Sequence, residues 1–150
     1  MKEWAVAMKL DDLIGSLVTK RNQPPPAAQP DGGFTLSIDG QYEIRCLPMG
    51  SGRAVLATIL SDLPDNPRRR EELLTWLMRL NLAYLKRSRS VLSVDNQTGQ
   101  LFLHYNVSLA EITQSGFETA LRDFLNDIDF WRECREARAS PVPSPVMVFP

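Results

Sequence analysis

Apolar residues near the start of the chain recur at the three- and four-residue spacing of one helix face. That face carries Leu10, Leu13, Ile14, Leu17 and Val18, with Val6 one turn earlier. The pattern predicts a first amphipathic helix from about Val6 to Lys20. Residues 22–33, which follow, are rich in proline and glycine. Because proline lacks an amide hydrogen and fixes its own φ, we predict a flexible connection there.

Alternating and β-favouring runs predict strands in the middle of the chain. Residues 34–38 and 41–47 flank Asp39-Gly40, a pair suited to the positive φ angles of a type I′ hairpin. Residues 53–60 are mostly apolar and predict a third strand. Residues 91–94 and 100–107 flank a turn that ends in Gly99, and they predict a second hairpin.

Two further helices are predicted on either side of that second hairpin. Asn66 and Pro67 are typical of an N-cap and a first helical turn, and residues 67–86 contain no glycine and no other proline. The third helix is predicted from about Ser115 to Arg138. Its inward face carries Phe117, Leu121, Phe124, Ile128 and Trp131.

The order of these elements, α-βββ-α-ββ(β)-α, predicts an α+β fold with three helices packed on an antiparallel, twisted sheet of five or six strands. A chain of 150 residues that is 43% hydrophobic has the size and composition of one domain. We expect residues 1–138 to form that domain. Residues 139–150 contain four prolines and predict a flexible tail.

Charge and cysteine content exclude several classes of protein. The net charge is -1 and the pI about 5.8, so the chain has no excess of cations to neutralise a nucleic acid. Cys46 and Cys134 lie far apart, which does not suggest a disulfide framework or a zinc site. We expect no secretory leader, because Met1 to Met8 is too short and too interrupted for the apolar segment of one, and no apolar run in the sequence reaches membrane-spanning length. We expect a protein of the cytoplasm that does not insert into membranes.

No arrangement of residues in the sequence indicates catalysis. The single histidine, His104, lies within a predicted strand, and no serine or cysteine lies in a nucleophile motif. The turn at Gly50-Ser51-Gly52 lacks the lysine of a phosphate-binding loop. Carboxylates of the third helix alternate with arginines, as on a solvated face. The sequence predicts a protein with no catalytic residue, no metal site and no cofactor.

The second helix is too apolar for a single packing face. One stripe consists of Leu73, Leu77, Leu80 and Tyr84. Another, about 100° away, consists of Leu74, Met78, Leu82 and Leu85. A twofold partner subunit would cover the second stripe, since a self-complementary patch closes into a dimer. The alternative is that the first or third helix of the same chain covers it.

From about Met8 to Arg138, the chain resembles the type III secretion chaperones of class I, the effector-binding, Tir-chaperone-like family. The resemblance rests on the short first helix that opens Met8-Lys9-Leu10, the Asp39-Gly40 and Gly99 hairpins, the leucine-rich second helix and the ending Phe117 to Trp131. It implies a homodimer built on the second helix, a secreted effector whose N-terminal segment binds in extended form, and bacterial cytoplasm as location. The ATPase of the secretion apparatus is a further candidate partner.

The resemblance also implies which residues make these contacts. It assigns dimerisation to Leu74, Met78, Leu82 and Leu85. It assigns effector contact to Leu10, Ile14, Leu92, Phe102 and His104. Phe102 and His104 face the client only if Leu101, Leu103 and Tyr105 face the core, because a shift of one residue moves every side chain of a strand to the other face of the sheet.

Two segments depart from the family pattern, residues 22–33 and the tail. For the tail we predict either no regular structure or a strand-like contact of residues 146–149 that competes with the client. A regulatory protein of the same fold, which sequesters a transcriptional activator or anti-activator, is the alternative function.

Overall fold

The computed structural model describes residues 2–139, which form three helices and five strands. In chain order the elements are α1 (Lys2–Lys20), β1 (Phe34–Ile38), β2 (Tyr42–Met49), β3 (Arg53–Asp62), α2 (Pro67–Tyr84), β4 (Ser90–Asp95), β5 (Gln100–Ser108) and α3 (Gln114–Ala139). The predicted α+β fold and its element order are confirmed, with five strands in the described residues. The predicted contact of residues 146–149 lies outside them.

The strands form one sheet in the order β1-β2-β3-β5-β4, with every neighbouring pair antiparallel. Asp39 and Gly40 both have positive φ, 53° and 66°, as a type I′ turn requires. The amide of Gln41 donates to the carbonyl of Ile38 at 3.0 Å and closes this turn. The centre of the sheet is different, because β3 and β5 pair only after the chain has passed through α2 and β4.

Side-chain caps begin the second and third helices. The Oδ1 atom of Asn66 accepts hydrogen bonds from the amides of Arg68 at 3.0 Å and Arg69 at 3.2 Å, as predicted for an N-cap. At the start of α3 the cap is Thr113, whose Oγ1 accepts from the amide of Gly116 at 3.0 Å. These bonds satisfy amides that have no partner within the helix.

One face of the sheet and the three helices enclose the core. The strands contribute buried residues at alternate positions, as in Phe34, Leu36 and Ile38 of β1. All five residues predicted for the inward face of α3 are buried in the same cluster. Tyr84 of α2 stacks on Phe130 of α3 with ring centroids 3.9 Å apart, which fixes the end of α2 against the second half of α3.

The other face of the sheet, here called the open face, is covered by no helix within residues 2–139. It carries the strand residues that alternate with the buried ones, among them Arg45, Leu47, Ala57, Ile59, Val91, Phe102 and His104. Leu101, Leu103 and Tyr105 are buried on the covered face. The sequence left open which set of alternating β5 residues faces the core. In the structure Phe102 and His104 belong to the other set and point outward.

The sheet is split between β2 and β3. Their ladder runs from Met49↔Arg53 to Arg45↔Ala57 and stops there, although both strands continue. Beyond that point the hydroxyl of Thr58 donates to the carbonyl of Glu43 at 2.9 Å. An irregularity in β3 between Ile59 and Ser61 adds to the divergence. The β1–β2 hairpin thus separates from β3 near its turn.

Candidate binding surfaces

The second apolar stripe of α2 is the most exposed apolar feature of the described chain. We call Leu74, Met78, Leu82 and Leu85 the α2 stripe. Met78 is 44% exposed, Leu82 71% and Leu85 47%, and Leu74 is half-buried. About 100° around the helix, Leu73 and Leu77 are buried in the core. Neither α1 nor α3 covers the α2 stripe within the described residues.

The position of α3 explains why this stripe stays uncovered. The guanidinium of Arg138 lies over the ring of Trp76 at 4.8 Å, and Tyr84 stacks on Phe130. The two helices therefore run in opposite directions, and α3 occupies the flank of α2 that carries Trp76. The α2 stripe lies on the other flank, where a shallow groove is lined by Pro67, Arg70, Glu71, Leu74, Thr75, Met78 and Arg79. Its floor is apolar and its rim is charged.

The open face combines exposed aliphatic side chains with a single histidine. Ile59 is 49% exposed, and Val91 is similarly accessible. The rings of Phe102 and His104 meet edge to face with centroids 6.1 Å apart. Nε2 of His104 lies 2.7 Å from the hydroxyl of Ser93 on the neighbouring strand. Partial burial lowers the pKa of His104, so the neutral ring is favoured.

Three of the residues predicted to contact an effector are buried in this structure. Leu10, Ile14 and Leu92 are at most 5% exposed and belong to the core. Their periodic spacing identified the apolar side of α1 and β4, but that side faces the chain's own interior. The outward side of α1 is polar and carries Asp11, Asp12, Ser16, Thr19 and Lys20. Burial leaves these three residues no surface for a client in this structure.

The described residues provide no evident centre for catalysis. Burial raises the pKa of the Cys46 thiol to about 12, which keeps it protonated and unreactive. Among the residues that the structure describes, no three His, Cys, Asp or Glu side chains come together as candidate metal ligands. Within the same residues, no helix is both long enough and apolar enough to cross a bilayer.

A cleft at the split in the sheet was not predicted from the sequence. It measures about 620 Å³ and opens on the open face between the β1–β2 hairpin and the β3–β5 pair. Arg132 of α3 reaches it from the helix side: its Nη2 donates to the carbonyl of Gln41 at 3.2 Å, and its guanidinium lies 5.1 Å from the ring centroid of Tyr42. The hydroxyl of Tyr42 donates to Asp129 at 2.6 Å and fixes the hairpin to α3.

Solved structures of several protein complexes share this fold at low sequence identity. A chain of the ExsC–ExsE complex is 20% identical, with a TM-score of 0.68 over 85% of this chain and 93% of that one. A chain of the HopA1–SchA chaperone–effector complex is 16% identical, with a TM-score of 0.67 over 85% and 95%. A chain of the complex of the Yersinia pestis type III secretion chaperone SycH with a stable fragment of YscM2 is 13% identical, with a TM-score of 0.58 over 80% of this chain and 97% of that one.

No curated protein sequence is significantly similar to the chain. A family model matches it, however, from residue 12 to residue 132, a range that runs from α1 into the last turns of α3. The match thus contains the whole sheet, α2 and the residues of the cleft. The chain belongs to the Tir chaperone protein (CesT) family.

Proposed function

We propose that this protein is a type III secretion chaperone that binds the N-terminal segment of one or a few effectors and keeps them soluble and competent for secretion. The observation that carries the proposal is the pair of uncovered apolar surfaces, the α2 stripe and the open face, on a chain of a chaperone family. Structures with the same fold include chaperones in complex with effectors. The activity is binding without catalysis, in the bacterial cytoplasm.

The α2 stripe supports a homodimer. Exposed leucine and methionine side chains in one continuous patch mark protein interfaces on otherwise polar surfaces. Met78 and Leu82 are the two central residues of the α2 stripe, so a twofold axis close to them would pack the α2 stripe of one subunit against the same residues of the other. The charged rim of the groove would remain at the edge of that interface, where charges keep their water.

The open face supports client binding. Of the five residues predicted for effector contact, Phe102 and His104 lie there, and Ile59 extends the surface along the paired strand. A neutral His104 presents an aromatic ring without a charge to desolvate. An extended client segment can cover such a surface with alternate side chains. Binding of the secretion ATPase stays a prediction.

The test is capture of the partner from the native bacterium with the tagged full chain and with two matched variants. Phe102→Ser removes an aromatic ring from the open face, whereas Asn106→Ser changes an exposed polar residue of the same strand. We expect the wild type and Asn106→Ser to retain a secreted effector through its N-terminal segment, and Phe102→Ser to lose it. Capture of a transcription factor would instead support the regulatory alternative. Equal capture of an effector by all three chains would exclude the open face as the client-binding surface.

A further inference from the structure

Through the split in the sheet, a ligand on the open face can reach the guanidinium of Arg132, which belongs to a helix on the covered side of the sheet. Most side chains of α3 are separated from the open face by the hydrogen-bonded strands. Arg132 is an exception, because it lines the same cleft as Ile59, Phe102 and His104. The passage exists because the β2–β3 ladder stops at Arg45↔Ala57 and the Thr58 hydroxyl, not a backbone group, holds the carbonyl of Glu43.

The guanidinium of Arg132 is incompletely partnered. It donates to the carbonyl of Gln41 and lies against the ring of Tyr42. No carboxylate among the side chains that the structure describes lies within 4.0 Å of it. A guanidinium has five N–H donors and pairs best with a carboxylate. The half-buried position of Arg132 strengthens that preference, since neighbouring protein replaces part of its water.

The other charges that line the cleft or lie next to it have partners or water. Arg45 forms an ion pair with Asp31 of the proline-rich loop, and that carboxylate also accepts from the amide of Gly33. Glu43 is exposed on the rim. Asp129, one turn before Arg132 on α3, accepts the hydroxyl of Tyr42. Arg132 is therefore the charge of the cleft that an entering anionic side chain would neutralise.

We propose that the cleft is a specificity pocket for a carboxylate side chain of the bound partner, which enters through the split and pairs with Arg132. The partner segment lies extended across the open face, with apolar side chains on Ile59 and Phe102 and one glutamate or aspartate directed between β2 and β3. This inference rests on the proposed client binding to the open face and adds the chemistry that the client must carry.

Three blocked peptides of nine residues, with alternating valine and threonine, test the pocket. They differ only in the central residue, which is glutamate, glutamine or lysine. The ¹⁵N-labelled full chain is titrated with each and followed by NMR. We expect the glutamate peptide to bind at least about tenfold more tightly than the other two, since one buried charge-assisted hydrogen bond is worth that much, and to shift the amides near Ile59 and Phe102. Equal affinities, or no binding of the glutamate peptide at millimolar concentration, would overturn the proposal.

Variants of the chain assign the effect to Arg132. Arg132→Gln should abolish the advantage of the glutamate peptide, while Arg122→Gln, an exposed arginine on the same helix, should leave it intact. Ile59→Glu keeps Arg132 and its contacts, so it also tests the proposal if Arg132→Gln unfolds; we expect it to weaken the glutamate peptide selectively. Retention of the full advantage in both Arg132→Gln and Ile59→Glu would disprove the assignment.

The captured partner separates this inference from the proposed function. If wild type and Arg132→Gln retain an effector equally well, the open face binds clients and the pocket is refuted. If no effector is captured but the glutamate peptide still binds at the cleft, the chaperone function fails while the pocket stands.

Discussion

The two apolar stripes of α2 have similar side chains and opposite surroundings. Leu73 and Leu77 are buried by the chain's own core, whereas Met78 and Leu82 are exposed to solvent. Burial of a leucine side chain stabilises a protein by roughly 1.5–3 kcal/mol. The exposed stripe does not contribute this stabilisation to the monomer, but it would contribute it to a complex that buries the stripe. Helical periodicity predicts both stripes equally well. The placement of α3 determines which of the two stripes the chain itself covers.

The same substitution on the two stripes tests this difference most directly. We expect Leu77→Ala to lower the free energy of unfolding by about 2–5 kcal/mol, because it leaves a cavity in the core. Leu82→Ala should change the folding of the subunit by less than about 0.5 kcal/mol, as for an exposed position. Urea denaturation at two protein concentrations separates folding from association. Similar losses in both variants at high dilution would show that the α2 stripe is covered within the subunit.

A charge on the α2 stripe should affect association without affecting the fold. We expect Leu82→Asp to raise the dimer dissociation constant by about a hundredfold or more, because the carboxylate would be desolvated in an apolar interface. Ala83→Asp is the matched control, since Ala83 is the next residue, is also exposed and lies away from the α2 stripe. Sedimentation velocity measures both. A wild type that stays monomeric at tens of micromolar, or dissociation of both variants, would rule out the proposed interface.

Glycine substitutions extend the comparison to the outward side of α1 and to the loop before β1. A Cβ on Gly15 meets no atom within 4 Å, so Gly15→Ala should stabilise the protein by about 0.5–1 kcal/mol through helix propensity. A Cβ on Gly33 would lie 2.9 Å from Leu47 Cδ2 and 3.0 Å from the Cys46 carbonyl, so Gly33→Ala should destabilise. Thermal unfolding measures the change in stability of both variants. If Gly15→Ala instead impaired client capture, the polar side of α1 would be a binding surface after all.

The smallest effect is expected from His104. Its pKa is lowered from 6.5 by burial, so the unfolded chain takes up a proton at a higher pH than the folded chain does. Stability is therefore complete above about pH 7.5 and should decline as the pH falls through 6.5 toward the folded value. Urea denaturation between pH about 7.5 and about 5.5 measures the decline, and His104→Gln should remove it. A rise in stability over that range would contradict the burial of the neutral ring.

Regular elements were predictable because their signals are local. β1 was predicted with its observed ends, and the cap at Asn66 and the turn at Asp39-Gly40 are formed as expected. The first helix begins earlier than predicted, at Lys2 instead of Val6. The start of α3 was predicted within one residue, at Ser115 instead of Gln114, but only the observed hydrogen bond identifies Thr113 as its cap.

The binding surfaces were only partly predictable, because exposure depends on the packing of elements far apart in the chain. The α2 stripe was found from an excess of apolar residues on one helix. The burial of Leu10 and Ile14 was not predicted, since a periodic apolar face has the same sequence pattern whether it covers a core or a client. The split in the sheet has no local signal: it depends on where the β2–β3 ladder stops and on the reach of Arg132 from the last helix.

The pairing of β3 with β5 also sets the order in which the protein can fold during synthesis. The hairpins β1–β2 and β2–β3 close over a few residues and can form while later segments are still in the ribosome. β3 cannot begin to pair with β5 until residues 63–99, which separate the two strands, and the start of β5 have emerged, and this long loop slows the step. During that interval α2 is already synthesised and both of its stripes are uncovered. We therefore expect the nascent subunit to be most prone to aggregation just before its central strands meet.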